Sequence, residues 1–296
     1  MNEITDVKVG LQTGDNPYYL YKKPSGIGSY RIIDKTKVLT EEEISEINND
    51  EKLRIKIIEN GIHKNMFKGK TIVPYDKGGS SDIDAGRLRN YFAESDFFID
   101  WSESNVKRMK TLTIAQRKSK SWRQKAGVKK SYETKIASRL QNIEYYFKNG
   151  ITFSITGLYA PTYRFSSDSI FDVKGSCIFL HEKLTNIFSN DYLQGILCSK
   201  ICRYFQKSFI QNNIDSQVES IKKNIIPICE KSQKQEIEKL VKEIIEKQKK
   251  DPDYNYQNHE QKEIDKLVYE IFGLDKELID EVETWYARRY PKLVRN

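Results

Sequence analysis

Few residues in this chain have the types and spacing that chemistry needs. Asp172-Val173-Lys174, with Asp168 just upstream, has the acid-x-lysine form by which a metal-dependent nuclease would hold magnesium next to a proton donor. Glu260-Gln261-Lys262 has the same form, and where 31% of residues are charged such triplets arise freely. His63, His181 and His259 lie far apart with no cysteine pair nearby, and Cys198 and Cys202 share the spacing of one helix face rather than that of a zinc site. Gly26-Ile27-Gly28 lacks the third glycine and the acidic residue of a dinucleotide loop. Tyr75-Asp-Lys-Gly-Gly79 can bring backbone N–H groups and the Lys77 cation to a phosphate. No serine, histidine and aspartate fall into a nucleophilic pattern, so the expectation is a chain that binds and does not catalyse, with no metal or cofactor of its own.

The strongest signal is electrostatic. From Trp101 to Lys148 the cations Lys107, Arg108, Lys110, Arg117, Lys118, Lys120, Arg123, Lys125, Lys129, Lys130, Lys135, Arg139 and Lys148 face only Glu103, Glu133 and Glu144. Trp101, Trp122, Tyr132, Tyr145, Tyr146 and Phe147 are interleaved with them. Positive charge neutralises phosphates and flat rings stack on bases, so a nucleic acid is the expected partner. The next block, Gly150 to Gly157 and Thr162 to Phe165, alternates as half-buried strands do and would mount the basic segment on a sheet.

With 296 residues and a net charge of +8, the chain is long enough for a sizeable core and two domains. No apolar run reaches the length of a membrane span, and the first residues lack the basic and apolar regions of a signal peptide, which predicts a cytoplasmic protein. The cysteines, scattered through apolar stretches, read as buried thiols.

Elements follow from punctuation and period. Asp6 to Leu11 reads as a strand, and the turn at Gly14 to Pro17 would project Gln12, Thr13 and Asn16 outward. Thr40 with Glu43 forms a capping box for a helix that stops at Gly61. Thr71 to Pro74 and Asp96 to Ile99 read as strands. Beyond Phe179 the period becomes helical. Leu193, Leu197, Ile201, Phe205 and Phe209 share one predicted face, Ser232 and Gln235 predict a second capping box, and Asp275 predicts a cap for a helix burying Leu278, Val282 and Trp285. The fold class expected is α+β, with a mixed recognition domain over residues 1–190 and a helical support and docking domain over 191–296.

Several blocks, in order, resemble the specificity region of fused restriction-modification and phage-defence adenine-specific DNA methyltransferases, including the Taq-type specificity domain. These are Val9 to Asn16, Val73 to Gly79, Asn149 to Ser154, Tyr163 to Phe165, Phe171 to Ser176, Tyr192 to Lys200 and Val268 to Leu274. The stretch from Tyr192 to Phe209 and the passage ending at Pro227 are also similar to type I specificity subunits. Asp15-Asn16-Pro17-Tyr18 is similar to the amino-methyltransferase motif but lacks its second proline, so Asn16 reads as a turn residue touching DNA rather than a catalytic one. The resemblance implies a target recognition domain that reads double-stranded DNA for a methyltransferase domain or subunit, with S-adenosylmethionine held by that partner. In the fused enzymes a methyltransferase domain precedes this region, and here Met1 lies almost directly on it. The expected DNA-binding residues are Gln12, Thr13, Asn16, Lys77, Arg117, Lys118, Lys120, Trp122, Arg123, Lys125, Arg139, Tyr159, Tyr163 and Arg164. The rivals are a nuclease using Asp172 and Lys174, and an RNA-binding or scaffold protein.

Overall fold

The computed structural model describes residues 1–24, 30–78, 88–117, 133–157, 159–166, 170–212 and 216–294. It is 47% helix and 17% strand, which makes it α+β. The strands are β1 (Thr5–Lys8), β2 (Leu20–Lys22), β3 (Arg31–Ile32), β4 (Ile72–Asp76), β5 (Phe97–Asp100), β6 (Gly150–Phe153), β7 (Tyr163–Ser166), β8 (Ile170–Phe171) and β9 (Cys177–Leu180). The helices are α1 (Asn16–Tyr19), α2 (Glu41–Asn49), α3 (Glu51–Asn60), α4 (Glu103–Thr111), α5 (Asn190–Cys198), α6 (Lys200–Phe205), α7 (Val218–Ile221), α8 (Lys231–Lys250), α9 (Glu260–Ile271), α10 (Lys276–Arg289) and α11 (Pro291–Val294). No helix among the described residues is long and apolar enough to cross a membrane.

Two sheets carry the architecture. A four-stranded antiparallel sheet runs β1-β9-β6-β7, and a five-stranded mixed sheet runs β3-β2-β5-β4-β8, with β2 parallel to β3 and β4 parallel to β8. Strand β9 lies between two cores. Its Ile178 joins Val7, Ile151 and Phe153 against α5, α8 and α9, while its Cys177 and Phe179 turn the other way. There they meet Phe171, Tyr146, Phe147 and Trp101, the five-stranded sheet and α2 to α4. Successive side chains on a strand point to opposite faces, so one short strand serves both.

This arrangement corrects several expectations. Strands β6 and β7 are buried on both faces rather than half-buried: Ile151, Phe153 and Tyr163 face the helices, and the polar Thr152, Arg164 and Ser166 on the other face are buried as well, Arg164 against Asp76. The larger core includes Leu193 and Leu197 together with Ile151 and Ile178. The helical stripe beginning at Leu193 breaks at Ser199, whose extended backbone and hydroxyl cap start α6, and Phe209 ends up 67% exposed. Helix α8 begins two residues early, with a capping box from Glu230 and Gln233 in place of Ser232 and Gln235. In α10 it is Val282 and Tyr286 that are buried, while Leu278 is 45% exposed. The Thr40–Glu43 box and the Asp275 cap are present, although Asp50 splits the first helical stretch into α2 and α3 by capping Leu53 N–H at 3.0 Å.

Close approach explains one glycine here. A Cβ on Gly195 would sit 2.4 Å from Ile237 Cγ2, so glycine lets α5 lie directly on α8. The two helices thereby bury Leu193, Ile196, Leu240, Val241 and Ile244 together. Fully burying one such side chain contributes roughly 1.5–3 kcal/mol.

Candidate nucleic-acid interface

The turn after β1 is held in place by the segment that follows the basic stretch. Gln12 and Arg139 exchange backbone hydrogen bonds of 3.1 and 2.8 Å, Ser138 Oγ donates to Thr13 O at 2.5 Å, and Asn142 Nδ2 donates to Val9 O at 2.8 Å. Gly14, at φ +71°, lies so close that a Cβ would meet Ala137 O at 2.3 Å. Both Gln12 and Arg139 project their side chains into solvent, side by side. A short ladder adjoins them: Ala137 N to Leu112 O at 2.8 Å, Ile114 N to Lys135 O at 2.8 Å and Ala115 N to Glu133 O at 3.0 Å. The two flanks of the basic stretch therefore start next to Gln12.

From that turn, α1 leads into a chain of cations and rings. Asn16 opens α1 and accepts the Thr13 hydroxyl. Two residues on, the Tyr18 ring lies between Arg108, 4.2 Å from its centroid, and Arg31, 5.9 Å away. Arg31 also covers Tyr21 at 4.1 Å, its register partner across β2 and β3, and donates to the Tyr18 carbonyl. On the other face of β2, Lys22 lies 5.8 Å from the ring of Phe97, with which it pairs in register. Lys77 extends β4 to the same place, 4.7 Å from Phe97 and 4.8 Å from Tyr30, with its Nζ 2.6 Å from the Tyr30 hydroxyl. Among the described residues no carboxylate lies within ion-pair distance of Lys22, Arg31, Lys77, Arg108 or Arg139. Beneath them, burial pushes the Tyr19 hydroxyl up to about 12, against the pull of the Arg108 guanidinium. That phenol stays neutral at any working pH.

The residues expected from sequence divide three ways. Gln12, Asn16 and Arg139 lie at the turn, Lys77 lies with Phe97 and Tyr30 on the sheet, and Arg117 lies at the end of the ladder beside the turn. Lys118, Lys120, Trp122, Arg123 and Lys125 lie outside the described residues. Thr13, Tyr159, Tyr163 and Arg164 are buried, which removes their side chains from any duplex. The Tyr159 ring packs 5.6 Å from that of Tyr290, the Tyr163 hydroxyl donates to Gln206 at 2.9 Å, and Arg164 reaches Asp76 and Thr162 at 3.3 Å each. Strand interiors claim them, since an arginine in a buried strand must find a carboxylate. Comparison with family models and with curated proteins finds no match for this chain.

The sequence reading did not single out Lys22 and Arg31, or the rings of Tyr18, Tyr21, Tyr30 and Phe97 beside these cations. The signal was present in the run Tyr18-Tyr-Leu-Tyr-Lys-Lys23 and in Tyr30-Arg31.

The acid-x-lysine pattern takes a structural role. Asp172 is 6% exposed, accepts the Tyr75 hydroxyl at 2.6 Å and caps its own turn through Lys174 N–H at 2.9 Å. Its carboxylate is used in holding β4, the Leu11 strand end and the following loop together. The histidines remain apart, His63 beside Glu103 at 3.9 Å and His181 beside Asp6 at 3.5 Å.

Proposed function

We propose that this chain is a double-stranded DNA recognition module of a restriction-modification or phage-defence adenine-N6 methyltransferase, presenting a site to a methyltransferase domain or subunit that holds S-adenosylmethionine. The observation that carries the reading is a set of cations with no carboxylate in ion-pair distance among the described residues: Arg31 and Arg108 with Tyr18 and Tyr21, Lys22 and Lys77 with Phe97 and Tyr30 on the opposite face of the sheet, and Arg139 beside the turn. Unpaired cations on a rigid sheet attract phosphate, and the adjacent amides of Gln12 and Asn16 are suited to adenine edges. The order of the specificity-region blocks in the sequence supports the same assignment. In this reading the chain makes and breaks no bond: phosphate contacts fix register, and side chains from the turn at Gln12 to Asn16 read bases.

The test is binding to duplex DNA, single strands and RNA as salt is varied. Each phosphate contact gives a log-log salt slope of about −0.9 on a duplex, so Lys22→Ala, Arg31→Ala and Lys77→Ala together should flatten the slope by roughly 2 to 3. Equal affinity for all three nucleic acids, or an unchanged slope, refutes the proposal. The nuclease reading loses support because Asp172 is committed to Tyr75 and its own turn.

A further inference from the structure

A second surface lies on the far side of the larger core. The segment between α7 and α8 crosses the end of α5, anchored by the Tyr192 hydroxyl, which donates to Pro227 O at 2.9 Å. Between this segment, the loop before α5 and the start of α8 lies a groove of about 420 Å³. Phe188 and Tyr192 form its floor, with Ile187 and Ile228 on its walls. Those walls are open to solvent: Ile187 is 41% exposed and Ile228 76%, and Ile225 in the same segment is 52% exposed. Apolar side chains scattered singly on a surface need no explanation, but a groove with several around one floor marks an interaction site.

The charge around the groove selects the partner. Lys231 and Lys234 line the rim at the start of α8, where the helix dipole adds positive potential. Lys234 is shared with Glu238, whereas Lys231 has no ion pair among the described residues. Glu238 is itself occupied, accepting the Ser189 hydroxyl at 2.5 Å. A second copy of this chain is a poor occupant. It carries +8, and the acidic amphipathic helices α2 and α9 among its described residues already bury their apolar residues, Ile44 and Ile47 in α2 and Ile264 and Val268 in α9. We infer that the groove between Ile187 and Ile228 docks an acidic amphipathic helix of a partner protein, with apolar residues in the groove and a carboxylate on Lys231. This does not depend on what the cationic sheet surface binds.

Cys229 lines the same groove and is half-buried, while Cys177, Cys198 and Cys202 are buried, so a thiol probe on Cys229 reports occupancy selectively. The probe ligands are two synthetic helices of about 15 residues with leucines at i, i+3, i+4 and i+7, one carrying glutamates on its outer face and the other lysines. The acidic helix should protect Cys229 from alkylation and bind at least about tenfold tighter than the basic one, with the difference shrinking as salt rises. Ile228→Glu, at an exposed position that leaves the core intact, should abolish that binding with circular dichroism unchanged, and Lys231→Glu should reverse the preference between the two helices. Equal binding of both helices, or no protection of Cys229 by the acidic one, overturns the inference. So does a dimer in sedimentation that Ile228→Glu dissolves, because the groove would then belong to a second copy.

Discussion

Asp265 gives the sharpest test of how the helical half is held together. It is 2% exposed on α9, where its Oδ1 accepts the Lys200 backbone N–H at 2.9 Å and Gln261 Nε2 at 3.2 Å. It thus caps α6 from another helix. Its Oδ2 lies 4.0 Å from Lys200 Nζ, but that ammonium is engaged by Glu283 at 2.7 and 2.9 Å. Burial therefore dominates and pushes the Asp265 carboxyl up to about 7, with Lys200 pulling it down only in part. In the unfolded chain the same group titrates at about 3.9. Between those values the native state holds a proton that the unfolded state has released, so stability is greatest below about pH 4, falls as pH rises to about 7, and is flat beyond. A gap of roughly three pH units at about 1.4 kcal/mol each sets an upper limit of about 4 kcal/mol. Asp265→Asn keeps an oxygen for the Lys200 N–H and removes the titration. Urea unfolding from pH 4 to 8 should show the wild type losing stability relative to Asp265→Asn by roughly 2 to 4 kcal/mol across this range. If the variant's profile parallels the wild type, or if it is the less stable protein at pH 8, the ionised carboxylate is stabilised by Lys200 and the reasoning fails.

Other expectations follow from single contacts. Gly14→Ala places a methyl group against Ala137 O at a backbone φ of +71°, and should cost roughly 2 kcal/mol or more in chemical denaturation while weakening nucleic-acid binding through the displaced Gln12–Arg139 pair. Tyr75→Phe leaves the buried Asp172 carboxylate without its 2.6 Å donor and should destabilise by roughly 1–3 kcal/mol. Asp172→Ala should likewise lower the melting temperature, and magnesium-dependent cleavage of plasmid DNA abolished by it would contradict the structural role assigned here. Leu193→Ala, in the core shared by the sheet and the helices, should cost roughly 2–5 kcal/mol and unfold both in one transition. Two separate transitions would mark a domain boundary near residue 190.

What the sequence disclosed depended on how local the determining interaction was. The Thr40–Glu43 box and the Asp275 cap are complete within a few residues, and each is where spacing places it. The stripe from Leu193 to Phe209 shows the limit. Its four-residue period is real, yet Ser199 offers its hydroxyl to Cys202 N–H and restarts the helix, so the later members leave the face that buries the earlier ones. Alternation in β6 and β7 was misread for a related reason. Period two marks the polar face but not whether that face is wet, and here Thr152, Arg164 and Ser166 on it are buried.

Charge is the least local property, and for function it decides most. Counting cations along the chain ranks Arg164 with Arg139, since each stands near aromatic residues in a strand-like stretch. In the fold their fates separate, because Arg164 meets Asp76 from 88 residues away while Arg139 meets no carboxylate among the described residues. An arginine already neutralised in the interior cannot release a counterion from DNA, however basic its neighbours in sequence. The cations that matter for a polyanion are those left over after the fold has paired the rest. Lys22, Arg31, Lys77, Arg108 and Arg139 meet that condition, and all but Arg139 rest on a ring as well. If the proposal is right, replacing Arg139 should lower affinity and flatten the salt dependence, whereas replacing Arg164 should destabilise the protein. Reversal of those two outcomes would mean that the surface identified here is not the one that meets DNA.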